Sequence, residues 1–129
     1  QAMKKVNDIV FENTGQKVRN FRPPGGLYND EILGEIEAYD MAVALWAIDT
    51  LDWKHKNPEK TTTSILDSVK DGDIVLMHDI HPTTVAAAEI VIPELVKRGY
   101  QLVTVSELAK ARGINMEAGK NYSSFRPKK

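Results

Sequence analysis

Apolar residues recur along this chain in two alternating rhythms, and the alternation predicts the order of its elements. Met3, Val6, Ile9 and Val10 follow one helical stripe, which Gly15 ends. Lys17 to Phe21 is a short strand candidate that runs into Pro23-Pro24-Gly25-Gly26. Asn29 is placed to cap a helix carrying Ile32, Leu33 and Ile36. Met41 to Ile48 is a continuous apolar run, read as a buried strand with Trp46 in the core. Asn57-Pro58 sets a capping residue before a proline at the first helical position, with Ile65, Leu66 and Val69 as the apolar face. Asp73 to Met77 is a second continuous apolar strand, of the kind parallel sheets bury on both faces. Thr83 or Thr84 caps the next helix, which Pro93 should kink or restart and Gly99 should end. Gln101 to Val105 reads as the last strand, and Ser106 as the cap of a short helix closing at Gly113. Strands alternating with helices predict an α/β fold, either a parallel sheet or a β/α barrel.

Composition narrows the function classes. The 129 residues suffice for one domain, and no linker or repeat divides them. A formal net charge of −1 gives no reason to expect a nucleic-acid partner, and the basic tail of Arg126, Lys128 and Lys129 reads as a solvated terminus. With no cysteine, disulfides, thiolate metal sites and cysteine nucleophiles are excluded together. No apolar stretch approaches the ~20 residues of a membrane span, so no membrane contact is expected from this segment. Nothing ahead of Met3 can cap the first helix. A truncated or cleaved start and a frayed first helix both fit that observation.

Three chemically loaded segments fall at strand ends, where α/β folds assemble active sites. His78 closes the Asp73–Met77 run and suits a general acid or base, with Asp49 or Asp52 available to orient it. His78, Asp79 and His81 could instead be metal ligands. Strand alternation would put His78 and His81 on opposite faces, and Asp79 and His81 read better as organisers of the turn before Pro82. Arg22 precedes two prolines on a stiff backbone, which suits holding a carboxylate by a bidentate pair. Gly25-Gly26 can bring backbone N–H groups close to an oxyanion, although Pro-Pro-Gly-Gly is also an ordinary turn. Trp53 in its polar loop can wall a sugar or acyl pocket, or pack over its own domain.

The order Arg22-Pro23-Pro24-Gly25, then Trp46-x-x-Asp49-x-x-Asp52-Trp53, then Leu76-x-His78-Asp79 resembles the polysaccharide deacetylases of carbohydrate esterase family four. It is most similar to their peptidoglycan N-acetylglucosamine deacetylase branch. The resemblance covers residues 1 to 122, and Tyr100 through Leu108 is similar to that family's last strand and helix. It implies the C-terminal half of a distorted β/α barrel with parallel strands, residues 1–129 being one part of a single catalytic domain. It also implies metal-dependent N-deacetylation of a cell-wall glycan. By the same resemblance Arg22 would hold the catalytic-base aspartate, the Gly25 N–H would stabilise the oxyanion, and Asp52 would orient His78. His78 would protonate the leaving amine, and Trp53 and Leu76 would line the pocket for the acetyl methyl. Gly25 stands where the family often has tyrosine. The family's first two motifs, which carry the base and the metal ligands, have no counterpart here, so this chain is assigned no metal ligand. A divalent metal, zinc by expectation, would come with an N-terminal segment of the same domain, and the chain alone would be inactive. The implied setting is extracellular or facing the cell wall, with any membrane anchor on that other segment. Two rivals remain open: a non-catalytic glycan-binding domain on the same fold, or a hydrolase of chitin oligomers or xylan. A self-sufficient metallohydrolase using His78, Asp79 and His81 is a third.

Overall fold

The computed structural model describes residues 2–129 and is built on short parallel strands with helices packed outside them. Helix α1 (Ala2–Thr14) ends at Gly15, whose left-handed φ of +68° lets its N–H return to the Phe11 carbonyl. Strand β1 (Asn20–Phe21) runs parallel to β2 (Ala42–Ala44), with Phe21 opposite Val43. Between them α2 (Asp30–Ala38) starts where expected, the Asn29 side chain accepting the Ile32 N–H. Its Ile36 packs with Met41 and Val43 to form one core cluster, which Val18, Phe21, Leu33 and Leu45 surround.

The apolar run Met41–Ile48 is not one strand. It divides into β2 and β3 (Ile48–Asp49), which lie in different sheets. The reason is a change of hydrogen-bond partner. The Leu45 N–H still bonds the Tyr122 carbonyl, whereas the Ala47 N–H bonds Ile74, so the backbone must turn between them. Trp46 sits at that turn, and it is half-buried rather than a core residue. Its ring lies over Gly26, where a Cβ would come within 2.9 Å of it.

Strand β3 leads into a single-turn helix, α3 (Asp52–His55), and then α4 (Pro58–Leu66), capped by Asn57 on the Lys60 N–H. The predicted strand Asp73–Met77 contracts to β4 (Val75–Leu76), parallel to β3 with Asp49 opposite Leu76. Helix α5 (Pro82–Lys97) packs along α4, and Ile65, Val91 and Leu95 form the second core cluster. Pro93 does not restart this helix, which runs unbroken through it. Pro93 and Glu89, whose carbonyl it leaves unpaired, both lie on the exposed side, where water can take the bond.

Gln101–Val105 forms no strand. Among the described residues no strand pairs with it, and Leu102 and Val103 are 48% and 43% exposed. Thr104, not Ser106, caps α6 (Val105–Ala111), and Glu107 completes a reciprocal capping box. The chain then returns as β5 (Asn121–Tyr122), parallel to β2 on its free side, giving the order β1-β2-β5. The tail is only partly the solvated terminus expected. Phe125 is buried and stacks on Tyr122, and Arg126 makes a two-pronged ion pair to Asp73 at 2.6 and 3.1 Å. The Phe125 N–H bonds the Gly72 carbonyl at 2.7 Å, so the tail ties the three-stranded sheet to the start of β4.

Candidate active site

In both parallel sheets the candidate residues follow the C-terminal ends of strands, Arg22 and Gly25 after β1, Asp52 after β3 and His78 after β4. After β3 the Thr50 hydroxyl bonds the Leu76 carbonyl at 2.9 Å, joining the ends of β3 and β4. Leu51 then takes a left-handed conformation, φ +52°, costing about 1–2 kcal/mol for a residue with a Cβ. Asp49 holds that turn, its Oδ1 accepting the Leu51 N–H at 3.1 Å. Of the two carboxylates that could have oriented His78, Asp49 is thereby spent on the backbone. Asp52 is the one that faces the imidazole.

Asp52 is 1% exposed, and three donors converge on it. The His78 ring Nδ1 lies 2.8 Å from Oδ1, while the His78 backbone N–H donates to Oδ2 at 2.6 Å and the Thr84 hydroxyl to Oδ2 at 2.7 Å. Burial works to raise the Asp52 pKa. The hydrogen bonds from the His78 ring, the Thr84 hydroxyl and the His78 N–H outweigh it and hold the carboxyl well below the usual carboxylate range. Asp52 is therefore a fixed anion at neutral pH. With Nδ1 engaged, Nε2 is the ring nitrogen left to act, on a side chain 30% exposed. The pair can hold a proton at Nε2 and deliver it to a group bound outside.

The other expected residues are placed as follows. Trp53 follows Asp52 on α3 and is 50% exposed, so half of its surface is open to a ligand. Leu76 is buried at 7%, presenting only an edge. Arg22 is exposed after β1, and among the described residues it forms no ion pair or hydrogen bond. Gly25 and Gly26 form a 3-10 turn (Pro24–Gly26), both with positive φ near the left-handed region. The Gly26 N–H bonds Pro23 and the Leu27 N–H bonds Pro24, while no carbonyl of the described residues takes the Gly25 N–H. The structure thus brings Asp52, His78 and Leu76 together, with Trp53 adjacent. Arg22 and Gly25 lie in the loop and turn that follow β1, a strand of the other sheet, and make no hydrogen bond to the Asp52–His78 pair.

Asp79 is exposed in the turn after His78, and His81 occupies the position before Pro82 at the start of α5. Among the described residues no group of three His, Asp or Glu side chains comes together that could hold a metal ion. The third histidine, His55, has both ring nitrogens occupied. Nε2 meets the Thr50 carbonyl at 2.9 Å and Nδ1 accepts the Asn57 N–H at 3.1 Å, a purely structural use. One site residue escaped the sequence reading. Its sequence position suggests only a cap for Thr84, but His81 fills the N-cap position without a side-chain bond and the Thr84 hydroxyl goes to Asp52. The available signal was its place in the first helical turn directly after a strand-end histidine.

No family model matches the chain. It is 38% identical over 118 residues to the peptidoglycan-N-acetylglucosamine deacetylase of Listeria monocytogenes, covering 92% of this chain and 24% of that protein. Its fold superposes on the T48 deacetylase solved with substrate, at a TM-score of 0.80 and 36% identity, covering 91% of this chain and 56% of the other. A CE4 family pseudoenzyme from Bacillus anthracis is also similar, at a TM-score of 0.74 and 29% identity, covering 95% and 41%. The chain spans about a quarter of the length of that curated relative and about half of those structures.

Proposed function

The chain belongs to the polysaccharide deacetylases of carbohydrate esterase family four, and from that premise we propose that residues 1–129 are the C-terminal part of a single catalytic domain. In this reading the domain hydrolyses the N-acetyl amide of N-acetylglucosamine residues in peptidoglycan, outside the cell or facing its wall. The observation that carries it is the buried Asp52 anion bonded to Nδ1 of a partly exposed His78. Amide hydrolysis has to expel a poor leaving group, and an amine leaves readily only if it is protonated as the C–N bond breaks. His78 Nε2–H donates that proton, and the Asp52 charge steadies the imidazolium beforehand. The Gly25 N–H, without a partner among the described residues, donates to the developing oxyanion. Arg22, also unpaired among the described residues, holds the catalytic-base carboxylate contributed by the N-terminal segment. Trp53 and the edge of Leu76 border the acetyl methyl.

The family's divalent metal does not fit the residues described, since no three candidate ligands converge and His78 Nδ1 is committed to Asp52. The metal, zinc in this reading, is assigned to the N-terminal segment. The test is release of acetate from peptidoglycan and from N-acetylglucosamine oligomers by the whole protein. Acetate release that requires His78 bears the proposal out. A second reading is favoured by the likeness to a pseudoenzyme: the same fold binding glycan through Trp53 and Arg22 without hydrolysis. Glycan binding by a whole protein that releases no acetate selects it.

A further inference from the structure

We propose that Thr84 is a positioning residue of this site: its hydroxyl fixes the rotation of the Asp52 carboxylate, so that Oδ1 faces the His78 ring, Nδ1 keeps its proton, and Nε2 is the nitrogen that takes up and delivers the second one. The proposal rests on the reading of His78 as the proton donor and adds a requirement to it. A carboxylate turns about its Cβ–Cγ bond with no sharply preferred angle, so something outside the residue must set that angle. Asp52 has little support from its own element. It opens the four-residue helix α3, which is entered through the left-handed Leu51.

Two donors from separate parts of the chain meet on Oδ2, the His78 N–H at 2.6 Å and the Thr84 hydroxyl at 2.7 Å. Together they leave Oδ1 as the oxygen that accepts from the ring. Thr84 is well suited to be the rigid one. It is 2% exposed, β-branched, and seated in the first turn of the 16-residue helix α5, which packs along α4. The first turn of a helix also favours a neighbouring negative charge. The hydroxyl is not a cap, because His81 holds the N-cap position and Thr84 lies inside the first turn. Without the hydroxyl, Oδ2 is held by one bond, the carboxylate can swing, and a neutral ring is no longer held as Nδ1–H, the form that takes up its second proton at Nε2.

The experiment compares Thr84→Val, which keeps the shape and removes the hydroxyl, with Thr84→Ser, which keeps the hydroxyl and removes the methyl, in the whole protein. Thr84→Val should lower kcat by about 10- to 100-fold, the loss of one charge-assisted hydrogen bond, with KM and bound metal unchanged. Thr84→Ser should stay within about threefold of wild type. Nitrogen-15 NMR of the His78 ring should show the Nδ1–H tautomer in wild type and Thr84→Ser, and a mixture in Thr84→Val. Equal kcat and the same single tautomer in Thr84→Val would overturn the proposal while leaving the deacetylase reading intact. A wild type without acetate release whose tautomer still shifts in Thr84→Val keeps the positioning role and removes the enzymatic one. Should Thr84→Val fail to fold, the wild-type hydroxyl proton decides. Slow exchange with a cross-peak to the His78 amide supports the proposal, and fast exchange overturns it.

Discussion

Asp52 concentrates more interactions than any neighbouring side chain in the site, so its substitution should be felt in both stability and rate. Asp52→Asn places an amide N–H₂ or a neutral oxygen against two donors at Oδ2, leaving at least one buried donor poorly matched, at a cost of about 1–3 kcal/mol. It also removes the charge that steadies a protonated His78, so kcat in the whole protein should fall by about 10²-fold or more. The pH dependence follows from the sign of the shift. The folded-state pKa lies below the ordinary value of 3.8, so the anion's contribution is fully present above 3.8 and is lost as pH falls below it toward the depressed value. Urea unfolding of wild type and Asp52→Asn should therefore differ most near neutral pH, with the gap narrowing below about pH 3.8. A gap that widens in acid would mean that the anion is not the stabilising form. At this scale the sequence was informative but incomplete. His78, Asp52 and Trp53 were legible because strand ends and polar loops expose chemistry. Spacing alone leaves Asp49 and Asp52 both open and only the family resemblance singles out Asp52, because the choice depends on the left-handed turn at Leu51.

Helices were more legible than strands, and the reason is physical. Asn29 and Asn57 announce α2 and α4 through bonds made within three residues. The strands are two or three residues long and exist only through partners far along the chain, as when Val43 pairs with Asn121. Hydrophobic runs such as Met41–Ile48 and Gln101–Val105 therefore overstated them. The C-terminal tie was invisible for the same reason, since Phe125 and Arg126 meet Gly72 and Asp73 only in the folded state. Gly72 is its most exacting position. It has φ +92°, and a Cβ there would fall 2.2 Å from the Phe125 carbonyl oxygen, with backbone on both sides of the clash. Gly72→Ala should destabilise the whole protein by about 1–3 kcal/mol, seen as a lower urea midpoint. Gly34→Ala, with open space around its Cβ and no left-handed φ, should lower it little or not at all.

The molecule as a whole presents apolar side chains that, on the proposed reading, the N-terminal segment of the domain would cover. Val6 and Ile9 on α1, Val96 on α5 and the unpaired Leu102 and Val103 are each between 43% and 58% exposed, and no residue of α1 is buried. Residues 1–129 by themselves should melt over a broad range without a cooperative transition and should take up no stoichiometric zinc. A sharp melt as a monomer, or one zinc bound through His78 and His81, would favour the self-sufficient metallohydrolase instead. The decisive measurement joins these scales: kcat, KM and metal content of the whole protein with His78→Ala. The proton is needed chiefly as the amine departs and the metal ligands are assigned to the other segment. kcat for acetate release should therefore fall by about 10²–10⁴-fold, with KM and metal content unchanged. Loss of the metal in His78→Ala, together with a silent Asp52→Asn, would make His78 a ligand and contradict the roles assigned to this half of the site.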